Sequence, residues 1–350
     1  MVRQLFLVVS TPDAPPFRLA APTYHTKMES PTLPMSMDRD SLHQLMGEID
    51  TVLLDCDGVL WQGAQGMDVI PGARETVQRF HDLGKKVFFI TNNSTKTQES
   101  YYEKCSTLGF HVEKDHILSA PFILAQYLKE IGFQKKVYVI GSPGLAEEMN
   151  KVGVRTTGVG PEKIEGSIYN AVNDGSLGLD TEVGAVAVGF DRDFNYDKMV
   201  RATSYLADPE CLFLATNTDE KYKVVGTRYH LPAAGILVAC IEQCSDRPAR
   251  IMGKPSMNIF YMLQARHGVQ PEKTLVIGDT LNTDIMFGNE CGMWTILVLS
   301  GVSTLQDARQ LSYTQDPRKQ KQVPLFYLNS IGDIIKLLDE ATNQVNEQEH

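Results

Sequence analysis

The sequence predicts an α/β protein: a Rossmann-like parallel-sheet core with an inserted α/β cap domain. Three observations lead there. Short apolar, partly β-branched runs at 52–54, 87–90, 137–140, 185–188, 212–215, 274–277 and 294–298 alternate with helix-length segments, the signature of parallel strands joined by crossovers. Several of these runs stop abruptly in polar residues, where open α/β sheets bind ligands. The stretch from Ser142 to Pro248 keeps the α/β texture but carries different polar residues, with no low-complexity linker on either side.

The elements follow in order. Residues 1–40 read as a disordered extension, rich in Pro, Ser, Thr and Met with no steady period. The core then occupies 41–141 and 249–342, the cap 142–248, and 343–350 form a frayed polar tail. The first strand at 52–54 leads into a Gly/Gln-rich loop. Pro71 and Gly72 open a helix with Ala73, Val77, Phe80 and Leu83 at helical spacing, stopped by Gly84. The run 87–90 ends in Thr91-Asn92-Asn93-Ser94, and helices follow to Gly109 and over 121–131. The run 137–140 reads as a third core strand. Within the cap come a strand at 185–188, a helix at 196–207 and a strand at 212–215. The core resumes with Gly253-Lys254-Pro255, a helix at 258–267, the strand 274–277, a helix at 285–291 and a last clear strand at 294–298.

Bulk properties narrow the function. A chain of 350 residues with 43% hydrophobic and 22% charged residues can bury full cores in two domains. A net charge of −10 argues against nucleic-acid binding, and any anion site must build its own positive field. The six cysteines are scattered without a C-x-x-C pair, which suits reduced thiols inside a cell rather than a disulfide framework or zinc site. No apolar run approaches the ~20 residues of a membrane span. Residues 5–9 are too short a core for a secretory signal. The expected location is the cytoplasm, with a mitochondrial presequence as the second reading; Arg3, Arg18 and Lys27 are sparse for one, and Asp13 is acidic.

Four strand ends or loops carry reactive residue types: Asp55 and Asp57, Thr91-Asn92, Lys254, and Asp279 with Asp284. If the backbone stays extended to Asp57, its carboxylate and that of Asp55 point the same way, one placed to attack and its neighbour to handle a proton. A calcium loop fails on spacing, because counting from Asp55 puts Val59 and Gly66 where an EF-hand needs oxygen ligands. Taken singly, Thr-Asn is most often a helix cap, and Gly-Lys-Pro a turn with an exposed lysine. Together they complement one another. Asp55, Asp57 and Asp279 offer the hard oxygens that magnesium prefers, Lys254 a point charge for phosphate oxygens, and Thr91 a hydroxyl beside backbone N–H groups at a helix start. Phosphoryl transfer needs mainly such positioning and charge neutralisation.

With these residues in place, the chain resembles the haloacid dehalogenase superfamily of phosphatases. Its opening Asp55-Cys56-Asp57-Gly58-Val59-Leu60-Trp61 resembles the branch of phosphoglycolate, pyridoxal and 4-nitrophenyl phosphatases. The likeness continues through Thr91-Asn92-Asn93-Ser94, Gly189-Phe190-Asp191, Thr216-Asn217-Thr218-Asp219, Gly253-Lys254-Pro255-Ser256 and Gly301-Val302-Ser303-Thr304-Leu305. It implies Asp55 as nucleophile and Asp57 as general acid and base. Thr91 and Lys254 would hold the phosphoryl group, with Asn92 and Asn93 beside it. Mg2+ would be bound by Asp55, by Asp57 through its carbonyl and by Asp279, with Asp284 in support. It also implies that the cap selects the substrate, a small phosphorylated metabolite, and that the protein dimerises through the cap.

Segments 91–97 and 183–191 look closest to phosphoglycolate phosphatase, so the expected substrates are 2-phosphoglycolate or glycerol-3-phosphate. The chain departs from the branch at Thr280, where Arg is common, at Asp193, where His is common, and at Ala233-Ala234, where Gly-Thr is usual. An Asp193 lining the site would repel a substrate carboxylate and favour glycerol-3-phosphate; an Asp in a surface turn would do nothing. Rival readings are a pyridoxal phosphate or nucleotide phosphatase of the same superfamily, and a non-catalytic binding protein on the same fold. The last should have lost Asp55, Asp57 or Lys254, which are all present. No P-loop motif occurs.

Overall fold

The strand Thr51–Asp55 has its first four residues buried and lies inside a seven-stranded sheet. A parallel strand covered on both faces has no reason to alternate apolar with polar residues, and Val52, Leu53 and Leu54 do not. The structure, a computed structural model, describes residues 33–63, 66–223 and 228–339. Across the sheet the strands run Met35–Ser36, Phe326–Leu328, Trp294–Val298, Thr274–Gly278, Thr51–Asp55, Lys86–Thr91 and Ile117–Ser119. Every neighbouring pair is parallel.

The connecting helices start and stop where the sequence says they should. Thr97 and Ser119 cap the helices Gln98–Thr107 and Ala120–Glu130 through their hydroxyls, and Gly268, at φ 66°, ends Asn258–His267. Leu281–Ile285 form a π-helical turn before the helix Met286–Cys291, where a single helix from 285 was expected.

A second sheet of five parallel strands runs Arg250–Ile251, Leu212–Ala215, Val183–Val188, Lys136–Ile140 and Thr156–Thr157. This corrects the expected boundaries at both ends. Lys136–Ile140, expected as the third core strand, pairs with Val183–Val188 in the second sheet. The third core position on that side belongs to Ile117–Ser119, three residues long and running straight into a capped helix. The helix Ala120–Glu130 makes the transition. Leu53, Phe88 and Leu118 from the first sheet and Val137, Val139 and Leu214 from the second share one apolar cluster with its Ile123, Leu124 and Leu128. An apolar run announces burial but not which sheet it joins, so this assignment was hidden in the sequence.

The end of the expected extension, residues 35–40, is part of the fold. Met35 and Ser36 pair with Phe326 and Tyr327, Met37 is buried, and a helix capped by Asp38 spans Arg39–Glu48. Residues 1–32 and the tail 343–350 lie outside the described residues. Among the described residues, no helix is long and apolar enough to cross a membrane.

Candidate active site

Sheet order brings distant residues together. Thr51–Asp55 lies between Thr274–Gly278 and Lys86–Thr91, with Leu54 beside Ile277 and Asp55 beside Ile90. Asp55, Asp279 and Thr91 therefore emerge from three adjacent strand ends. Carboxylate oxygens of Asp55, Asp279 and Asp284 lie within 4.8 Å of one another, and Asp279 and Asp284 are buried.

Lys254 enters this group from the far side of the insertion. Its ammonium touches Asp55, lies 2.7 Å from Asp284 Oδ1 and donates to the Ile90 carbonyl at 3.0 Å. Burial works to lower the lysine's pKa, but Asp284 and Asp55 outweigh it and hold the ammonium above its ordinary range. Burial likewise pushes the Asp55 carboxyl well up, opposed by Lys254 and reinforced by Asp284 and Asp279. Asp279 is pushed up to about 7, first by burial and then by Asp284. One ammonium among three crowded carboxylates leaves the group short of positive charge.

Asp279 is seated tightly. It accepts from Thr280 Oγ1 and from the Val302 N–H, each at 2.8 Å. A Cβ at Gly301 would stand 1.7 Å from Asp279 Oδ2, and one at Gly58 2.3 Å away, so both glycines leave room for that carboxylate. Asp284 Oδ2 accepts from the Thr280 N–H at 3.1 Å, while its buried Oδ1 faces the Lys254 ammonium at 2.7 Å. Three carboxylates whose oxygens lie within 4.8 Å of one another, with one ammonium to offset them, fit a small divalent cation such as magnesium.

The other predicted residues divide. Thr91 is buried, and its hydroxyl accepts from the Asn93 N–H at 3.1 Å. Asn92 braces Lys254: its Oδ1 accepts from the lysine N–H at 2.8 Å and its Nδ2 donates to the lysine carbonyl at 3.0 Å. Asn93 Oδ1 accepts from the N–H and the hydroxyl of Thr95. Asp57 stands apart from the carboxylate cluster. The strand ends at Asp55, and the Cys56 carbonyl accepts from the N–H groups of Leu60 and Trp61 in a tight loop. The extended backbone that would align the two side chains is therefore missing. Asp57 is exposed, and its Oδ1 accepts from the indole of Trp61 at 2.9 Å.

Several contributors carried no assigned role in the sequence. Asn217, at the end of Leu212–Ala215 in the second sheet, donates to the Asn92 carbonyl at 2.7 Å. Asp219 accepts a long 3.5 Å bond from Asn92 Nδ2. Both sit in the Thr216-Asn217-Thr218-Asp219 motif, so the signal was visible while its target was not. Asp193 is exposed, in a turn where its N–H donates to Asp191 Oδ1 at 2.8 Å. Ala233 and Ala234 are buried, and a Cβ at Gly235 would stand 2.4 Å from the Thr218 carbonyl. The altered Ala-Ala-Gly stretch thus packs against the backbone that carries Asp219.

Comparison with known proteins now bears on this arrangement. A haloacid dehalogenase-like hydrolase model matches residues 52–155, and a second, HAD-hydrolase-like model matches 251–323. The glycerol-3-phosphate phosphatase of Rattus norvegicus is 40% identical over 315 residues, covering 87% of this chain and 95% of that protein. The chain belongs to the haloacid dehalogenase-like hydrolases. Phosphoglycolate phosphatase 1A, chloroplastic, of Arabidopsis thaliana is 36% identical over 300 residues, covering 85% of this chain and 79% of that one. Among solved structures, NagD from E. coli K-12 superposes with a TM-score of 0.63 at 30% identity, covering 82% of this chain and 98% of its own. The p-nitrophenyl phosphatase from Archaeoglobus fulgidus gives 0.67 at 25% identity, with 83% and 99% covered. The two family matches of this haloacid dehalogenase-like hydrolase flank the segment that carries most of the second sheet.

Proposed function

We propose that this protein is a magnesium-dependent phosphomonoesterase that acts through an aspartyl phosphate on a small phosphorylated metabolite, with glycerol-3-phosphate and 2-phosphoglycolate as first candidates. One observation carries the reading: Asp284 and Lys254 converge on Asp55 and Asp279 at the ends of two adjacent strands. In this reading an Asp55 oxygen attacks phosphorus and the bond to the leaving alcohol oxygen breaks. Asp57 gives that oxygen a proton, then takes one from the water that cleaves the acyl phosphate. Lys254 and Thr91 hold the phosphoryl oxygens, and Asn92 keeps the lysine's backbone in place. Asp55, the Asp57 carbonyl and Asp279, steadied by Asp284, would hold Mg2+, whose charge offsets the carboxylates' repulsion and that of the phosphate.

The second-sheet domain serves as the cap that selects the substrate. The relatives' names favour glycerol-3-phosphate and phosphoglycolate over a nucleotide or pyridoxal phosphate. An exposed Asp193 lends no support to carboxylate repulsion. The reading includes a cytoplasmic homodimer formed through the cap, checked by light scattering and by imaging a tagged chain. The deciding assay is kcat/KM for glycerol-3-phosphate, phosphoglycolate, pyridoxal phosphate and a nucleotide, with magnesium and with excess chelator. Magnesium-dependent turnover led by one of the first two is expected. Undiminished turnover in chelator, or a lead for either of the others, would overturn the corresponding half of the reading.

A further inference from the structure

Two positions beyond its strand, exposed and away from the carboxylate cluster, Asp57 needs something to fix its direction if it is to handle protons. Among the described residues, the one side chain that hydrogen-bonds its carboxylate is Trp61, whose indole N–H donates to Oδ1 at 2.9 Å. That indole is packed on its sides. It is fully buried, with edge contacts to Phe89 at 6.5 Å and Phe110 at 5.8 Å between ring centroids. Phe89 lies on Lys86–Thr91, the strand beside the one that ends in Asp55, so the anchor of Asp57 is referred to the same rigid sheet as the nucleophile. The ammonium of Lys104, from the helix Gln98–Thr107, sits 4.0 Å from the centre of the indole. A cation on the ring face draws electron density from the ring and makes its N–H a stronger donor. Gly66 closes over the group: a Cβ there would stand 2.8 Å from Lys104 Nζ and 3.4 Å from both Asp57 Oδ1 and the Trp61 ring.

We propose that Trp61 is a positioning residue for the proton-transfer step: its indole N–H, backed by Lys104, occupies Oδ1 of Asp57 and leaves Oδ2 to carry the proton. As the P–O bond to the leaving alcohol breaks, the Oδ2 proton passes to that oxygen and Asp57 is left as the carboxylate. This rests on Asp57 being the general acid, as proposed above, and the experiment separates the two claims. An alkoxide leaving group needs the proton, whereas 4-nitrophenolate leaves without one. A positioning defect should therefore discriminate between them, and a merely structural defect should not.

The test is first-turnover release of alcohol from glycerol-3-phosphate and of nitrophenol from 4-nitrophenyl phosphate. It is run on the full chain with magnesium, for wild type, Trp61→Phe, Lys104→Met, Asp57→Asn and Trp61→Phe/Asp57→Asn. Trp61→Phe keeps an aromatic ring in the core and removes the donor. It should slow glycerol release about 10–100-fold, the usual worth of a hydrogen bond to a charged group, and nitrophenol release less than about 3-fold, with half-saturating concentrations unchanged. Lys104→Met, which leaves Trp61 in place, should show the same selectivity at about 2–5-fold, through the ring and through the lysine's own attraction for Asp57; if Trp61→Phe does not fold, equal loss on both substrates in Lys104→Met overturns the proposal. In the Asp57→Asn background, Trp61→Phe should cost nothing further. Equal loss on both substrates, or further loss in that background, overturns the role of Trp61. Asp57→Asn without leaving-group selectivity overturns the assignment of Asp57 itself, and the proposal with it.

Discussion

Asp219 shows how one side chain ties the second sheet to the chemistry of the first. It reaches Asn92 from the Thr216–Asp219 motif, and its own N–H is held by Asn217 Oδ1 at 3.1 Å. Burial raises its carboxyl to about 6 from the model-compound 3.8, Lys254 opposes the shift and Asp284 adds to it. Because the folded-state value lies above the unfolded one, the folded chain binds the extra proton between those two values. The carboxyl's contribution to stability is therefore fully present below about pH 3.8 and lost as pH rises through about 6. A shift of that size is worth at most about 3 kcal/mol. Wild type should accordingly lose melting temperature relative to Asp219→Asn by a few degrees between pH 4.5 and 7, in buffer without magnesium. A difference that stays constant over that range would show that Asp219 is solvated like a surface carboxylate.

At the scale of elements, what the sequence made legible was whatever had enough length to show a pattern. Thr51–Asp55, Lys86–Thr91, Thr274–Gly278 and Trp294–Val298 are five- or six-residue apolar strands, and each was placed within a residue or two. Ile117–Ser119, Phe326–Leu328 and Met35–Ser36 went unseen, being two or three residues long with no room for alternation. The last of these has a measurable consequence. Met35 and Met37 donate to the Leu325 and Tyr327 carbonyls at 3.0 and 3.1 Å, and Met37 is buried against the core. A chain starting at residue 38 should melt several degrees below one starting at residue 33, since it loses the edge strand and a buried methionine worth about 1.5–3 kcal/mol. It should also aggregate more readily through the bared edge of Phe326–Leu328. Equal melting temperatures would show that the edge pairing adds nothing to the fold.

Across the whole molecule, the site was legible as far as it depends on strand ends in one sheet. Asp55, Asp279 and Thr91 each stood at the end of an apolar strand and complemented one another chemically in the sequence, and the structure has them on adjacent strands. What could not be read was whatever depends on how the two sheets meet. Asn92 clasping Lys254, and Asn217 holding Asn92, depend on the placement of an inserted sheet that no periodicity reports. Nor could the turn of Asp57 toward Trp61 be read, because it needs the tight loop at Cys56 in place of an extended strand. The nucleophile is the point on which every proposed role depends. The most direct measurement is acid quenching during turnover of a phosphorus-labelled substrate, followed by mass-spectrometric mapping of protein-bound phosphate. A hydroxylamine-sensitive phosphoryl group on Asp55, lost in Asp55→Asn together with turnover, is the predicted result; label that persists on the Asp55→Asn protein, with turnover intact, would contradict it.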